Sequence, residues 1–153
     1  MFKEFLTDLA EQLQVLNREI IHTYDVLGHV RLTELRQGGY QVESDGDGHL
    51  IRKITLRYEC VGTSTIQFWV ESRDECNTVK EQLDAHSMVF RFKDDANWRY
   101  VFTLQPLVKV VFSFEPHPTE SGIRLVAKNF ERLGVTSYSF AADNVNDALL
   151  NEF

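Results

Sequence analysis

Only two of the 153 residues are cysteines, Cys60 and Cys76. That is too few for a disulfide framework, so a reducing cytoplasm is the expected compartment. Basic residues are also short, 16 against 23 acidic ones, and the formal charge is −7. A nucleic-acid binder usually carries the opposite footprint, and the same sign disfavours anionic membrane surfaces. No apolar run approaches the ~20 residues of a membrane span. Glu4, Asp8 and Glu11 interrupt the first stretch, so no signal peptide is expected. The chain has no G-x-S-x-G, H-E-x-x-H, C-x-x-C, P-loop or G-x-G-x-x-G sequence, which removes the easily read reaction classes. Absence of these motifs does not exclude an enzyme, but a non-catalytic role is favoured, and no cofactor or resident metal is expected.

Against these shortages stands an apolar pattern at the N-terminus. Phe2, Leu6, Leu9, Leu13, Leu16, Ile20 and Leu27 fall at alternating steps of four and three, with Thr23 at the missing position. This heptad spacing predicts an amphipathic helix over Phe2–Leu27, roughly 39 Å long at the usual rise. Such a helix either lies on its own sheet or offers a seam to a second copy or another protein. The narrow N-terminal half, Phe2, Leu6, Leu9, Leu13 and Leu16, is the expected partner-binding stripe.

Strand signals dominate the rest. Asp45-Gly46-Asp47-Gly48 is a hairpin signal. After it, Leu50, Ile54, Leu56, Tyr58 and Cys60 alternate with Lys53, Thr55, Arg57 and Glu59. Ile66, Phe68 and Val70 alternate with Gln67, Trp69 and Glu71. Ser72-Arg73-Asp74-Glu75 is a capping-box pattern for a short helix carrying Cys76, Val79, Lys80 and Leu83. Alternation returns at Met88–Phe92, Arg99–Leu104 and Val108–Phe114, and a last pair flanks Leu133-Gly134. Asp143 is placed to cap a final helix. The chain ends in an apolar segment without a C-cap after Phe153, which predicts the N-terminal domain of a longer protein.

These elements predict one α+β domain over residues 1–153. Its expected form is a long N-terminal helix and short helices packed on a mainly antiparallel, strongly curved sheet of about six to eight strands. The order helix, three strands, helix, strands, helix resembles that of the small acidic chaperones of bacterial type III secretion, in element order and charge alone. It also resembles lipid-carrying helix-grip domains, which add a long C-terminal helix. Both resemblances imply an α+β fold.

Three groups carry the functional expectations. The helical stripe predicts a protein-protein interaction or adaptor domain, forming a homo-oligomer or docking a larger protein. A curved sheet with Tyr58, Phe90, Phe112 and Phe114 turned inward would leave an apolar cavity for a small molecule under the helix. A symmetric turn over Asp94–Asn97 would set Lys93 opposite Trp98 and Arg91 opposite Tyr100. With Arg99, that basic and aromatic ladder suits single-stranded nucleic acid, although the acidic total makes nucleic acid an unlikely partner. Asp45, Asp47 and His49 open like a calcium loop, but Leu56 occupies the twelfth position where a carboxylate is needed, so a plain hairpin turn is the better reading. Cys76, in a first helical turn, reads as a small buried hydrophobe rather than an activated thiol.

Overall fold

A computed structural model describes residues 7, 8, 10–12, 23–47, 50–95, 97–119 and 121–141. From Tyr24 on, the described residues form ten strands and one 13-residue helix in the order β1 (Tyr24–Val26), β2 (Val30–Leu32), β3 (Arg36–Asp47), β4 (Leu50–Val61), β5 (Ile66–Val70), α1 (Arg73–Ala85), β6 (Phe90–Asp95), β7 (Arg99–Leu104), β8 (Leu107–Pro116), β9 (Gly122–Lys128) and β10 (Val135–Ala141). All pairings are antiparallel. The expected α+β class is therefore corrected to a mainly antiparallel β fold. In place of one strongly curved sheet, the described residues form three sheets, ordered β1-β2, β10-β9-β8-β4-β3 and β5-β7-β6.

The long helix over Phe2–Leu27 is corrected as well. Thr7, Asp8, Ala10, Glu11 and Gln12 are helical, but Tyr24–Val26 is already strand. The heptad concealed a period of two. Tyr24 and Val26 are buried on either side of exposed Asp25, as a half-buried strand requires. A turn then reverses the chain. Leu27 and Gly28 both take positive φ, 55° and 74°, as a mirror-image hairpin turn demands. The His29 amide donates to the Val26 carbonyl at 2.9 Å, and the Gly28 amide to the Asp25 carboxylate at 2.8 Å. Phe2, Leu6, Leu9, Leu13 and Leu16, with the helix expected after Asp143, lie outside the described residues. The element order on which both resemblances rested is not that of the described chain.

The two larger sheets share one ribbon. β4 pairs with β8 up to Val61↔Leu107, and β5 pairs with β7 from Ile66↔Leu104. The same two runs of chain thus build both sheets, with a corner at residues 62–65 and 105–106. There the Gly62 amide donates to the Pro106 carbonyl at 2.7 Å. Alternation along the ribbon turns Leu56, Tyr58, Cys60, Val108, Val110 and Phe112 inward. From the smaller sheet Phe68, Val70, Phe102 and Leu104 join the same buried cluster, as do Leu32, Leu35 and Leu125.

Helix α1 is capped as its sequence implies. The Ser72 side chain accepts from the Glu75 amide at 3.1 Å, and Cys76, Val79 and Leu83 are its buried residues. Lys80 sets its ammonium 4.2 Å above the Phe92 ring of β6. At the other end Asn129, fully buried and following β9, donates to the carbonyls of His86 and Lys109, each at 3.0 Å. This holds the helix end against the five-stranded sheet.

Candidate interaction face

In the three-stranded sheet β7 is central, with β5 on one side and β6 on the other. Lys93 pairs with Val101 and Arg91 with Thr103. On the far side of β7, Trp69 pairs with Val101 and Gln67 with Thr103. Antiparallel partners share a face. One face of this sheet therefore carries Arg91, Lys93, Arg99, Val101, Thr103, Gln67 and Trp69. The opposite face carries Phe90, Phe92, Tyr100, Phe102 and Phe68.

This register corrects the expected ladder. The loop between the strands is residues 96–98, closed by the Asp95↔Arg99 pair, rather than a symmetric turn over Asp94–Asn97. The Trp98 amide donates to the Asp95 carbonyl at 3.1 Å. A three-residue hairpin loop needs a left-handed residue at its end, and Trp98 fills that position with φ 63°. Each partner of Arg91 and Lys93 moves three residues along β7. Three is odd, so the alternation flips, and Tyr100 goes to the face opposite Arg91 and Lys93. It pairs with Asp94 and Val70 instead.

A different basic and aromatic set results. The Arg99 guanidinium lies 5.3 Å from the Trp69 ring centroid and bonds Asp95 Oδ2 at 3.1 Å. Arg91 and Lys93 are exposed on the same face. Trp69 is 55% exposed and Trp98, at the hairpin tip, 88%. Trp69 belongs to the polar half of the alternation along β5 and carries no functional signal in the sequence. Its strand alternation was visible, but its pairing to β7 was not.

The other expected groups fare differently. Tyr58 and Phe112 stack on each other at 6.2 Å, and Phe130 meets Phe112 edge-on at 5.0 Å. A cavity of about 450 Å³ lies on the outward face of the five-stranded sheet, with Arg57, Lys109 and Lys128 in its lining. Cys60 and Cys76 are both buried and free. Burial pushes the Cys60 thiol up to about 12 and also raises that of Cys76, where Lys80 and Arg73 oppose the rise. Neither is an activated thiolate. Among the described residues no group of three His, Cys, Asp or Glu side chains is placed to hold a metal, and His49 is outside them. No helix among the described residues is long and apolar enough to cross a membrane. No family model, curated protein or solved structure matches this chain.

Proposed function

We propose that the chain is a non-catalytic protein-binding domain that uses the outward face of its three-stranded sheet. The partner would be an acidic, partly apolar segment of another protein. The observation that carries this reading is the exposure of two tryptophans beside three basic residues, Trp69 and Trp98 with Arg91, Lys93 and Arg99. Tryptophan and arginine are the side chains that most often dominate binding energy at protein interfaces. An aromatic side chain of this size gains much from being covered. The basic group sits on a chain of charge −7, so the face is a local reversal of sign that steers an acidic partner to one place. The Arg99–Trp69 contact holds one anchor in place before binding, which reduces the ordering cost.

The test is photo-crosslinking in the native host. A photoreactive amino acid replaces exposed Gln67, two residues from Trp69 on the same face. One dominant protein adduct is expected, abolished by Arg91→Glu with Lys93→Glu and absent from a control probe at exposed Thr63. Adducts no stronger than the control, or a nuclease-sensitive adduct, would overturn the reading. The second of these outcomes would point to single-stranded nucleic acid.

A further inference from the structure

The cavity on the five-stranded sheet is a separate matter from the hairpin face. Its chemistry follows from register. Val111 on β8 pairs with Arg57 on β4 and with Lys128 on β9. Lys109 lies two residues from Val111 on the same face of β8. Neighbouring strands are about 4.8 Å apart and alternate residues about 6.8 Å apart. Three cationic side chains thus rise from backbone positions within ~10 Å of each other, around a half-buried apolar floor. All three line the cavity, and Glu59 is the acidic side chain in its lining.

The walls suit an anion too. Lys128 Nζ donates to Ser87 Oγ at 2.9 Å, which brings a hydroxyl from the residues after α1 to the rim. Arg57 reaches Glu43 at 3.4 Å on the opposite side. At the sheet edge beyond β4, β3 passes as Gly38-Gly39, with a bulge before Gln41. Gly39 lines the cavity, and a Cβ there would stand 3.9 Å from Glu59 Oε2. Its volume, about 450 Å³, falls within the range of small-molecule sites and exceeds what a bare ion fills.

We propose that this basin binds the phosphate group of a small phosphomonoester, held by Arg57, Lys109 and Lys128, with the organic remainder lying over Val111. Three cations lining one cavity match a doubly charged group with three terminal oxygens better than a carboxylate with one charge. A long polyanion is disfavoured by the charge of −7 on the whole chain.

The probes are phenyl phosphate and benzoate, which share a ring and differ in the anion, followed by amide chemical shifts of the labelled protein. Phenyl phosphate should give saturable shifts at Gly39, Val111 and Lys128. Lys109→Gln and Lys128→Gln should each weaken it by about tenfold or more, as loss of a charge-assisted bond implies. Benzoate should bind at least about tenfold more weakly, and Lys93→Gln, on the other sheet, should change nothing. Lys109 is exposed, so its replacement reads binding without disturbing the core. Absence of saturation, equal weakening by Lys93→Gln, or benzoate binding as tightly as phenyl phosphate would each overturn the assignment.

Discussion

The Tyr24 hydroxyl donates to the main-chain carbonyl of Asn129 at 2.7 Å, joining residues 105 apart in sequence. Asn129 is wholly buried with φ 58°. Besides its two donations to His86 and Lys109, its side-chain oxygen accepts from the Gly134 amide at 3.1 Å, so it satisfies loop, helix end and strand together. A buried polar group is tolerated only when so paired. Tyr24→Phe should therefore cost about 1–2 kcal/mol. Asn129→Asp should cost more, about 2–4 kcal/mol, because a carboxylate cannot donate to two carbonyls. Urea unfolding at neutral pH measures both. A cost for Asn129→Asp no larger than for Tyr24→Phe would mean that the two donated bonds carry little.

The corner between the sheets depends on Gly62. A Cβ there would stand 2.8 Å from Pro106 Cβ and 3.2 Å from Leu35 Cδ2. Gly62→Ala should destabilise by about 1–3 kcal/mol through this overpacking. Gly38→Ala, at an open position of ordinary φ, should be neutral or stabilise by up to about 1 kcal/mol by restricting the unfolded chain. Thermal unfolding of the two variants side by side checks the contrast.

Local chemistry was legible in the sequence, and long-range chemistry was not. The alternation of Leu56, Tyr58 and Cys60 announced β4, and Ser72 announced α1, because each signal lies within a few residues. Approach of Gly62 to Pro106 joins residues 44 apart (106 minus 62) and leaves no local trace, so the corner that divides the ribbon between the two larger sheets goes unannounced, and one curved sheet is expected where the described residues form three. In the hairpin, the identity of the basic and aromatic residues could be read, but the face could not. One loop residue decides the side on which Tyr100 falls, and tryptophan at a left-handed position signals nothing in advance. At the N-terminus the strong heptad outweighed the shorter Tyr24/Val26 alternation, and only the turn at Leu27-Gly28 separates the two readings.

On the outward face of the larger sheet, Glu115 sits between Arg124 at 2.8 Å and Lys53 at 3.5 Å. The Arg124 hydrogen bond, followed by smaller contributions from Lys53, lowers its pKa below the ordinary 4.5. A depressed folded value means stability that is complete above the unfolded value and is lost as pH falls through the folded one. These side chains are partly exposed, so the size is small, about 0.5 kcal/mol. Arg124→Gln should destabilise by that amount at pH 7 and by nothing once Glu115 is protonated in both states. Denaturation midpoints across the acid range test this. A cost that persists undiminished in acid would assign the effect to packing of the arginine stem.

Both thiols should resist modification at pH 8 in the folded protein. Reaction needs the thiolate, and burial raises both groups while hiding them. Ellman's reagent should titrate two thiols in denaturant and react in native buffer only at the rate of opening. Rapid native reaction of Cys76 would mean that the first turn of α1 opens readily.

Trp98 brings stability and function into conflict. Its left-handed backbone costs a non-glycine residue about 1 kcal/mol or more, and its ring is 88% exposed, so the fold gains little in return. Glycine is the natural occupant of the position. Trp98→Gly should therefore stabilise the protein by about 1 kcal/mol, raising Tm by roughly 2–6 °C for a chain of this size. If the tryptophan is retained as an anchor for a partner, the same change should remove the crosslink formed from position 67. A variant that is both more stable and fully competent would leave the residue without a role in binding. One that is less stable would show that the indole makes contacts within its own hairpin that outweigh the backbone cost.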